Sequence, residues 1–118
     1  MKFIKLPIPT SQCDEGPLLS MDNSDITIKY DYYYDENIFW TTVRFEYVYA
    51  FKFLECKYID TNDFCLGMVE IHEFDWIKEL LKNWEKDNRS LKDIFGGELS
   101  KIHHYRMYFD DVGMFEII

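Results

Sequence analysis

The sequence predicts an α+β domain in which an antiparallel sheet of four to six strands carries one main helix, at about residues 75–87, on one face. Residues 25–34 alternate strictly between two faces, which is the period of a β-strand. Between residues 74 and 84, apolar residues recur every three or four positions, as in an amphipathic helix. Residues 102–118 place two apolar segments around an Asp-Asp-Val-Gly turn, which predicts a C-terminal β-hairpin.

The N-terminal part of the chain is predicted to be mostly irregular. Residues 1–6 alternate weakly, which indicates a short edge strand that two prolines end. Residues 7–24 are rich in turn-forming residues, so we predict a loop-rich segment within a single domain of residues 1–118. This segment is either a loop or a tail that is partly anchored by the apolar side chains of Leu18, Leu19 and Met21.

The stretch of residues 30–53 is unusually aromatic, because it holds half of the 22 Phe, Trp and Tyr residues. A turn is predicted at residues 35–37, and a β run follows over residues 38–54. This run is far longer than an average strand of about 5–6 residues. We therefore predict a bulge or bend near residues 49–52, or a strand that crosses two sheet regions.

The remaining elements are a central strand and the main helix. Residues 60–63 predict a turn, and the apolar residues 64–71 predict a strand buried on both faces. Asp75 is the predicted N-cap of the helix. A further helical turn is predicted at residues 90–95, closed by Gly96 and Gly97.

Charge and cysteine content limit the classes of partner. The net charge of −9 argues against binding nucleic acid or anionic membranes, which select Lys and Arg. It leaves open a basic protein partner, or a charge that only keeps an apolar domain in solution. Three cysteines without CxxC spacing indicate reduced thiols, and neither a signal peptide nor a membrane helix is recognisable, so we expect a cytoplasmic protein.

No pattern of residues predicts catalysis, a metal or a cofactor. His72 and Glu73 lack the second histidine that a zinc-protease motif requires. His103 and His104 are neighbours on a strand, so they point to opposite faces. Cys13 lies beside two acidic residues, which would raise its pKa and make it unreactive.

The most informative constellation combines tyrosines with acids. Alternation sends Tyr33 to the face opposite Tyr32 and Tyr34, so a one-sided sheet cannot bury all three. A tyrosine exposed among carboxylates suits the interface with a basic partner. Alternatively, the second face of the sheet is also partly covered, which would explain the same pattern without any partner. The candidate partner contacts are Tyr33, Asp35, Glu36, Trp40, Asp110 and Asp111.

Two segments, VEIHEFDWIKEL at residues 69–80 and HYRMYFDDVGMFEII at residues 104–118, resemble small uncharacterised bacterial α+β proteins of the kind found among immunity proteins of polymorphic toxin systems. The resemblance implies a bacterial cytosolic protein that binds and blocks a partner, here a basic toxin. We therefore expect an acidic protein-binding module. A small-molecule binder or enzyme with an aromatic-lined pocket, and a subunit of a homo-oligomer, remain alternatives.

Overall fold

The computed structural model describes residues 2–59, 67–72, 75–86 and 102–118, with only the backbone of residues 84–86. These residues form eight strands, one α-helix and one short 3-10 turn, at Cys56–Tyr58. The helix, α1, spans Asp75–Lys86. The strands are β1 (Lys2–Ile4), β2 (Leu18–Asp22), β3 (Asp25–Tyr34), β4 (Asn37–Phe45), β5 (Phe51–Glu55), β6 (Gly67–Ile71), β7 (His104–Phe109) and β8 (Gly113–Ile117).

The strands form two antiparallel sheets, so the prediction of a single sheet is wrong, whereas that of antiparallel strands with one helix is confirmed. The larger sheet has the order β1-β6-β7-β8-β5, and the smaller one has the order β2-β3-β4. The long aromatic run divides at residues 46–50, so its two parts, β4 and β5, belong to different sheets. Of the two predicted explanations for its length, the crossing between sheet regions is therefore the one observed.

The break in the aromatic run has a local cause. Tyr47 adopts a left-handed backbone conformation with φ of 54°, which ends a strand because it reverses the direction of the backbone. Its backbone N–H donates to Oδ1 of Asp25 at 3.1 Å, and the N–H of Val48 donates to the carbonyl of Ser24 at 2.7 Å. The start of β3 thus holds the crossover in place.

The predicted loop-rich segment of residues 7–24 also contains a strand that was not predicted, because Leu18–Asp22 is strand β2, paired with β3. A tight turn at Asn23, with φ of 55°, joins the two strands. All five residues of β2 are exposed. The strand is therefore held by its hydrogen-bond ladder rather than by burial, which explains why hydrophobic periodicity did not indicate it.

The main core lies between the two sheets. It joins residues of β3 and β4 to residues of β6, β7 and β8, and Tyr30 packs edge to face against Phe109 with ring centroids 5.2 Å apart. Its buried members are Ile26, Ile28, Tyr30, Phe45, Met68, Met107, Phe109, Phe115 and Ile117. The two sheets thus pack face to face, as in a sandwich.

Helix α1 covers the other face of the larger sheet, as predicted. Ile77 is buried with Ile102 and Ile118, and the ring of Trp76 meets the ring of His104 edge to face at 5.3 Å. Asp75 is the first helical residue, so it lies in the first turn rather than at the N-cap. No helix among the described residues is long and apolar enough to cross a membrane.

The predicted strand at the N-terminus, the central strand and the C-terminal hairpin are confirmed as β1, β6 and β7–β8. Gly113 must be glycine, because a Cβ atom there would lie 2.2 Å from the carbonyl oxygen of Leu54 on the adjacent strand. The turn predicted at residues 60–63 and the helical turn predicted at residues 90–97 lie outside the described residues.

Candidate functional site

The end of the β3–β4 hairpin exposes a group of large apolar side chains, here called the aromatic tip: Tyr33, Tyr34, Ile38, Phe39 and Trp40. Each is between 40% and 61% exposed. The ladder between β3 and β4 continues without a break to the pair Tyr34–Asn37. Burial ends earlier, because Tyr30 is fully buried and Tyr32 only partly so. The hairpin therefore extends beyond the core.

The sequence accounts for the sharp turn at the aromatic tip. Asp35 and Glu36 have φ of 50° and 62°, and they form a two-residue loop between β3 and β4. Two successive residues with positive φ are the mark of a type I′ turn, whose twist matches that of the flanking strands. The side-chain N–H of Asn37 donates to the carbonyl of Asp35 at 2.9 Å. Both carboxylates are exposed at the end of the hairpin.

The aromatic tip presents apolar groups on both of its faces. Tyr33, paired with Ile38, shares one face with Trp40, and the Nζ of Lys29 lies 5.0 Å from the Trp40 ring. The opposite face carries Tyr34 with Phe39. Sequence reasoning selected Tyr33 and Trp40 but missed Tyr34 and Phe39, because alternation assigned them to the face that the core covers further along β3.

The two remaining predicted contacts, Asp110 and Asp111, lie in the exposed loop between β7 and β8. The N–H of Asp110 donates to the carbonyl of Thr10 at 3.3 Å, and the N–H of Tyr33 donates to that of Gln12 at 3.1 Å. Thr10 and Gln12 are two residues apart, a separation that spans at most about 7 Å of chain. The loop of Asp110 and Asp111 therefore lies near the base of the aromatic tip. Tyr33, Asp35, Glu36 and Trp40 thus lie together in the β3–β4 hairpin, and the loop of Asp110 and Asp111 lies near the base of that hairpin.

Asp31, an acid next to the tyrosines in sequence, does not belong to this surface. It is fully buried, and its carboxylate accepts hydrogen bonds from the backbone N–H groups of Asp14, Glu15 and Gly16. Burial alone would raise the pKa of Asp31, but these hydrogen bonds and one from the thiol of Cys13 hold it below its ordinary value. Asp31 therefore fastens the N-terminal segment to the sheet.

The pKa of the Cys13 thiol is raised, as predicted, but for a different reason. Its pKa is raised to about 11, chiefly by burial and then by the hydrogen bond that it donates to Asp31. The acids adjacent in sequence, Asp14 and Glu15, are not among the causes of this shift.

A second cluster of charged groups lies beneath α1 on the larger sheet. Glu116, only 4% exposed, contacts the Nζ of Lys52 at 3.1 Å, the Nε2 of His104 at 3.1 Å and the Nε of Arg106. Burial would raise the pKa of Glu116, but these three partners lower it to about 2. Lys52 also lies 4.1 Å from the centroid of the Trp76 ring.

This cluster joins three strands and the helix, so its role is structural. Sequence reasoning missed it, although the register of the C-terminal hairpin sets Arg106 directly opposite Glu116 and could have indicated the pair. The two histidines point to opposite faces, as predicted: His104 is buried here, while His103 is exposed and contacts Glu70 at 2.8 Å. Within the described ranges, no three metal-ligating side chains converge.

An open groove of about 600 Å³ lies beside the crossover between β4 and β5, which supplies residues 46–49 of its lining. Three tyrosines line it, Tyr47, Tyr49 and Tyr105, above a floor that includes Phe45. Two of its polar groups already have partners, because Arg44 contacts Asp25 and His103 contacts Glu70. The groove is lined by tyrosines, as the pocket hypothesis requires, but no tryptophan of the described chain lines it.

The chain was compared with protein-family models, with curated proteins and with solved structures, and none of these comparisons found a match.

Proposed function

We propose that this chain is an acidic protein-binding module of the cytoplasm that uses the aromatic tip to bind a basic protein. The observation that carries the proposal is the exposure of five large apolar side chains next to the carboxylates of Asp35 and Glu36. Apolar surface of this kind on a soluble domain marks interaction sites, and Tyr and Trp are the residues that most often supply binding energy. Inhibition of a toxin by occlusion, as in immunity proteins, is the function that fits this chemistry best.

Charge and aromatic groups would have separate roles in this binding. Exposed carboxylates at one end of an acidic chain attract a basic partner and accelerate the encounter. Tyr33 and Trp40 would then lose their contact with water and provide affinity. Because the hairpin extends beyond the core, a concave region of the partner, such as an active-site cleft, could accept it.

The experiment that tests this proposal compares two double variants, each of which loses two exposed aromatic rings. Tyr33→Ser combined with Trp40→Ser removes the exposed rings of one face of the aromatic tip, while Tyr58→Ser combined with Phe3→Ser removes two exposed rings elsewhere. A basic protein captured from the native host by the unchanged chain should bind the first variant at least tenfold more weakly, because two anchors are worth about 2 kcal/mol or more. Equal binding by both variants, measured by surface plasmon resonance, would contradict the proposal.

A second candidate function is the binding of a small molecule in the groove. Its volume of about 600 Å³ is within the range of about 300–1,000 Å³ that is usual for ligand sites. Of the tyrosines that line it, Tyr47 and Tyr105 would orient such a ligand through their hydroxyls. A screen by ligand-dependent thermal shift, repeated with Tyr105→Ala, tests this alternative, because a ligand of the groove would lose its stabilising effect in the variant.

A further inference from the structure

Strand β4 leaves the smaller sheet with a long open edge. In the order β2-β3-β4, one side of β4 pairs with β3, and the other side has no strand partner among residues 2–59, 67–72, 75–86 and 102–118. With nine residues, β4 is the longest of the four edge strands, since β1 has three residues and β2 and β5 have five each. Its unpaired N–H and C=O groups form a template for one more strand.

The features by which proteins usually prevent pairing at an edge are missing from β4. The strand contains no proline or lysine, and its ladder with β3 has no bulge over nine successive pairs. Arg44 is its one charged residue, and Ile38, Phe39 and Trp40 are exposed. By comparison, the edge strand β5 of the larger sheet carries Lys52 and Glu55 within five residues. Protection against pairing thus differs between the two sheets.

We propose that β4 pairs antiparallel with β4 of a second copy of this chain, around a two-fold axis at Trp40. The interface of a two-fold dimer uses the same surface of both copies, which an antiparallel pair of identical strands satisfies. Centring the pair on Trp40 sets Asn37 opposite Val43 of the second copy, and the next position outward sets Glu36 opposite Arg44 of that copy. The two-fold axis generates this ion pair twice.

Charge distinguishes this register from its neighbours. If the axis lay at Thr41 instead, Glu36 would face Glu46 of the second copy, so that two pairs of like charges would oppose association. If it lay at Thr42, Glu46 would face the apolar Ile38 of the second copy. Of these three registers, the one at Trp40 sets a second acid beside Arg44, in addition to Asp25 of its own chain, and leaves no like charges opposite each other.

Such a dimer would have a continuous six-stranded sheet across its centre. The face that carries Tyr33, Ile38 and Trp40 in one copy would adjoin the same face of the other copy. Pairing at the edge leaves both faces of a sheet accessible, so the dimer would present this apolar surface twice. The inference does not depend on the proposed function, because it requires no partner other than the chain itself.

The test measures the mass of the full chain by light scattering over a range of concentrations. The unchanged chain should have twice the monomer mass of 14.4 kDa at low micromolar concentration. Glu36→Lys and Arg44→Glu should each weaken the dimer about tenfold, since two attractive pairs become repulsive. The double variant Glu36→Lys/Arg44→Glu should restore it, because the opposite charges face each other again.

Glu55→Lys on the edge strand β5 is the matched control, since it changes the net charge as Glu36→Lys does and should leave the dimer intact. Glu36 lies in an exposed turn, so its variant isolates the effect on association even if Arg44→Glu also loosens the contact with Asp25. A monomer at about 100 μM would overturn the proposal, and so would a double variant as weak as the single ones.

Discussion

The molecule contains two hairpins that look alike in sequence and differ completely in their surroundings. Both β3–β4 and β7–β8 place aromatic strands around a short turn with two adjacent acids. Every residue of β8 is buried, whereas five of the first seven residues of β4 are exposed. The β7–β8 hairpin is central in its sheet, with the smaller sheet on one face and α1 on the other, while β4 is an edge strand that extends beyond the core. Position in the sheet, rather than aromatic content, decides which hairpin is available for binding.

The largest expected effect comes from removing one phenylalanine from each hairpin. Phe109→Ala should destabilise the protein by about 3–5 kcal/mol, because a fully buried ring in contact with Tyr30 and Phe115 leaves a cavity. Phe39→Ala should cost less than about 1 kcal/mol, because that ring is 47% exposed. Urea unfolding of both variants gives the two values. Similar losses at the two sites would show that the tip is buried in solution.

Removing one acid from each hairpin should also destabilise the protein more in β7–β8 than in β3–β4, but by a smaller amount than removing a phenylalanine. Glu116→Gln should cost about 3 kcal/mol, because Lys52, Arg106 and His104 would lose their buried negative partner. Glu36→Gln should change stability by less than about 0.5 kcal/mol, because Glu36 lies in an exposed turn.

Glu116 also makes the free energy of unfolding depend on pH. Because its folded pKa, about 2, is below its unfolded value, the stabilisation is complete above about pH 5 and is lost as the pH falls towards 2. Unfolding of Glu116→Gln should therefore vary less over this range than that of the unchanged chain. An identical pH dependence of both proteins would contradict the assignment.

The smallest effect concerns the rate of association. Asp35→Lys combined with Glu36→Lys should slow binding of a basic partner several-fold at low salt and less at high salt, because salt screens exposed charges. Glu55→Lys combined with Glu79→Lys changes the net charge equally at exposed sites elsewhere. Association rates from stopped-flow fluorescence should separate the two variants. Unchanged binding at low salt would count against the steering role of the hairpin.

Much of the local structure could be predicted from the sequence. The period of three and four residues located α1, strict alternation located β3, and the Asp-Asp-Val-Gly turn located the C-terminal hairpin. The exposed face with Tyr33 and Trp40 was also predictable, because three consecutive tyrosines cannot all point to one face.

What could not be predicted depends on contacts between distant parts of the chain. Alternation shows that Tyr30 and Tyr34 share a face, but not that Phe109 covers the first while the second is 61% exposed. The burial of Asp31 depends on residues 13–16, which a loop brings to it. The break between β4 and β5 includes Tyr47, whose left-handed conformation is unusual for a side chain of its size and whose N–H bonds to the distant Asp25.

The anchoring of the N-terminal segment has a consequence for the order in which the chain folds. Strand β1 is paired with β6, residues 13–16 are held by Asp31, and Thr10 is bonded to Asp110. During synthesis, this segment therefore leaves the ribosome before its partners, which lie up to about 100 residues later in the chain, and contacts so distant in sequence form slowly. We therefore expect this segment to be made before its partners and to become ordered only after them.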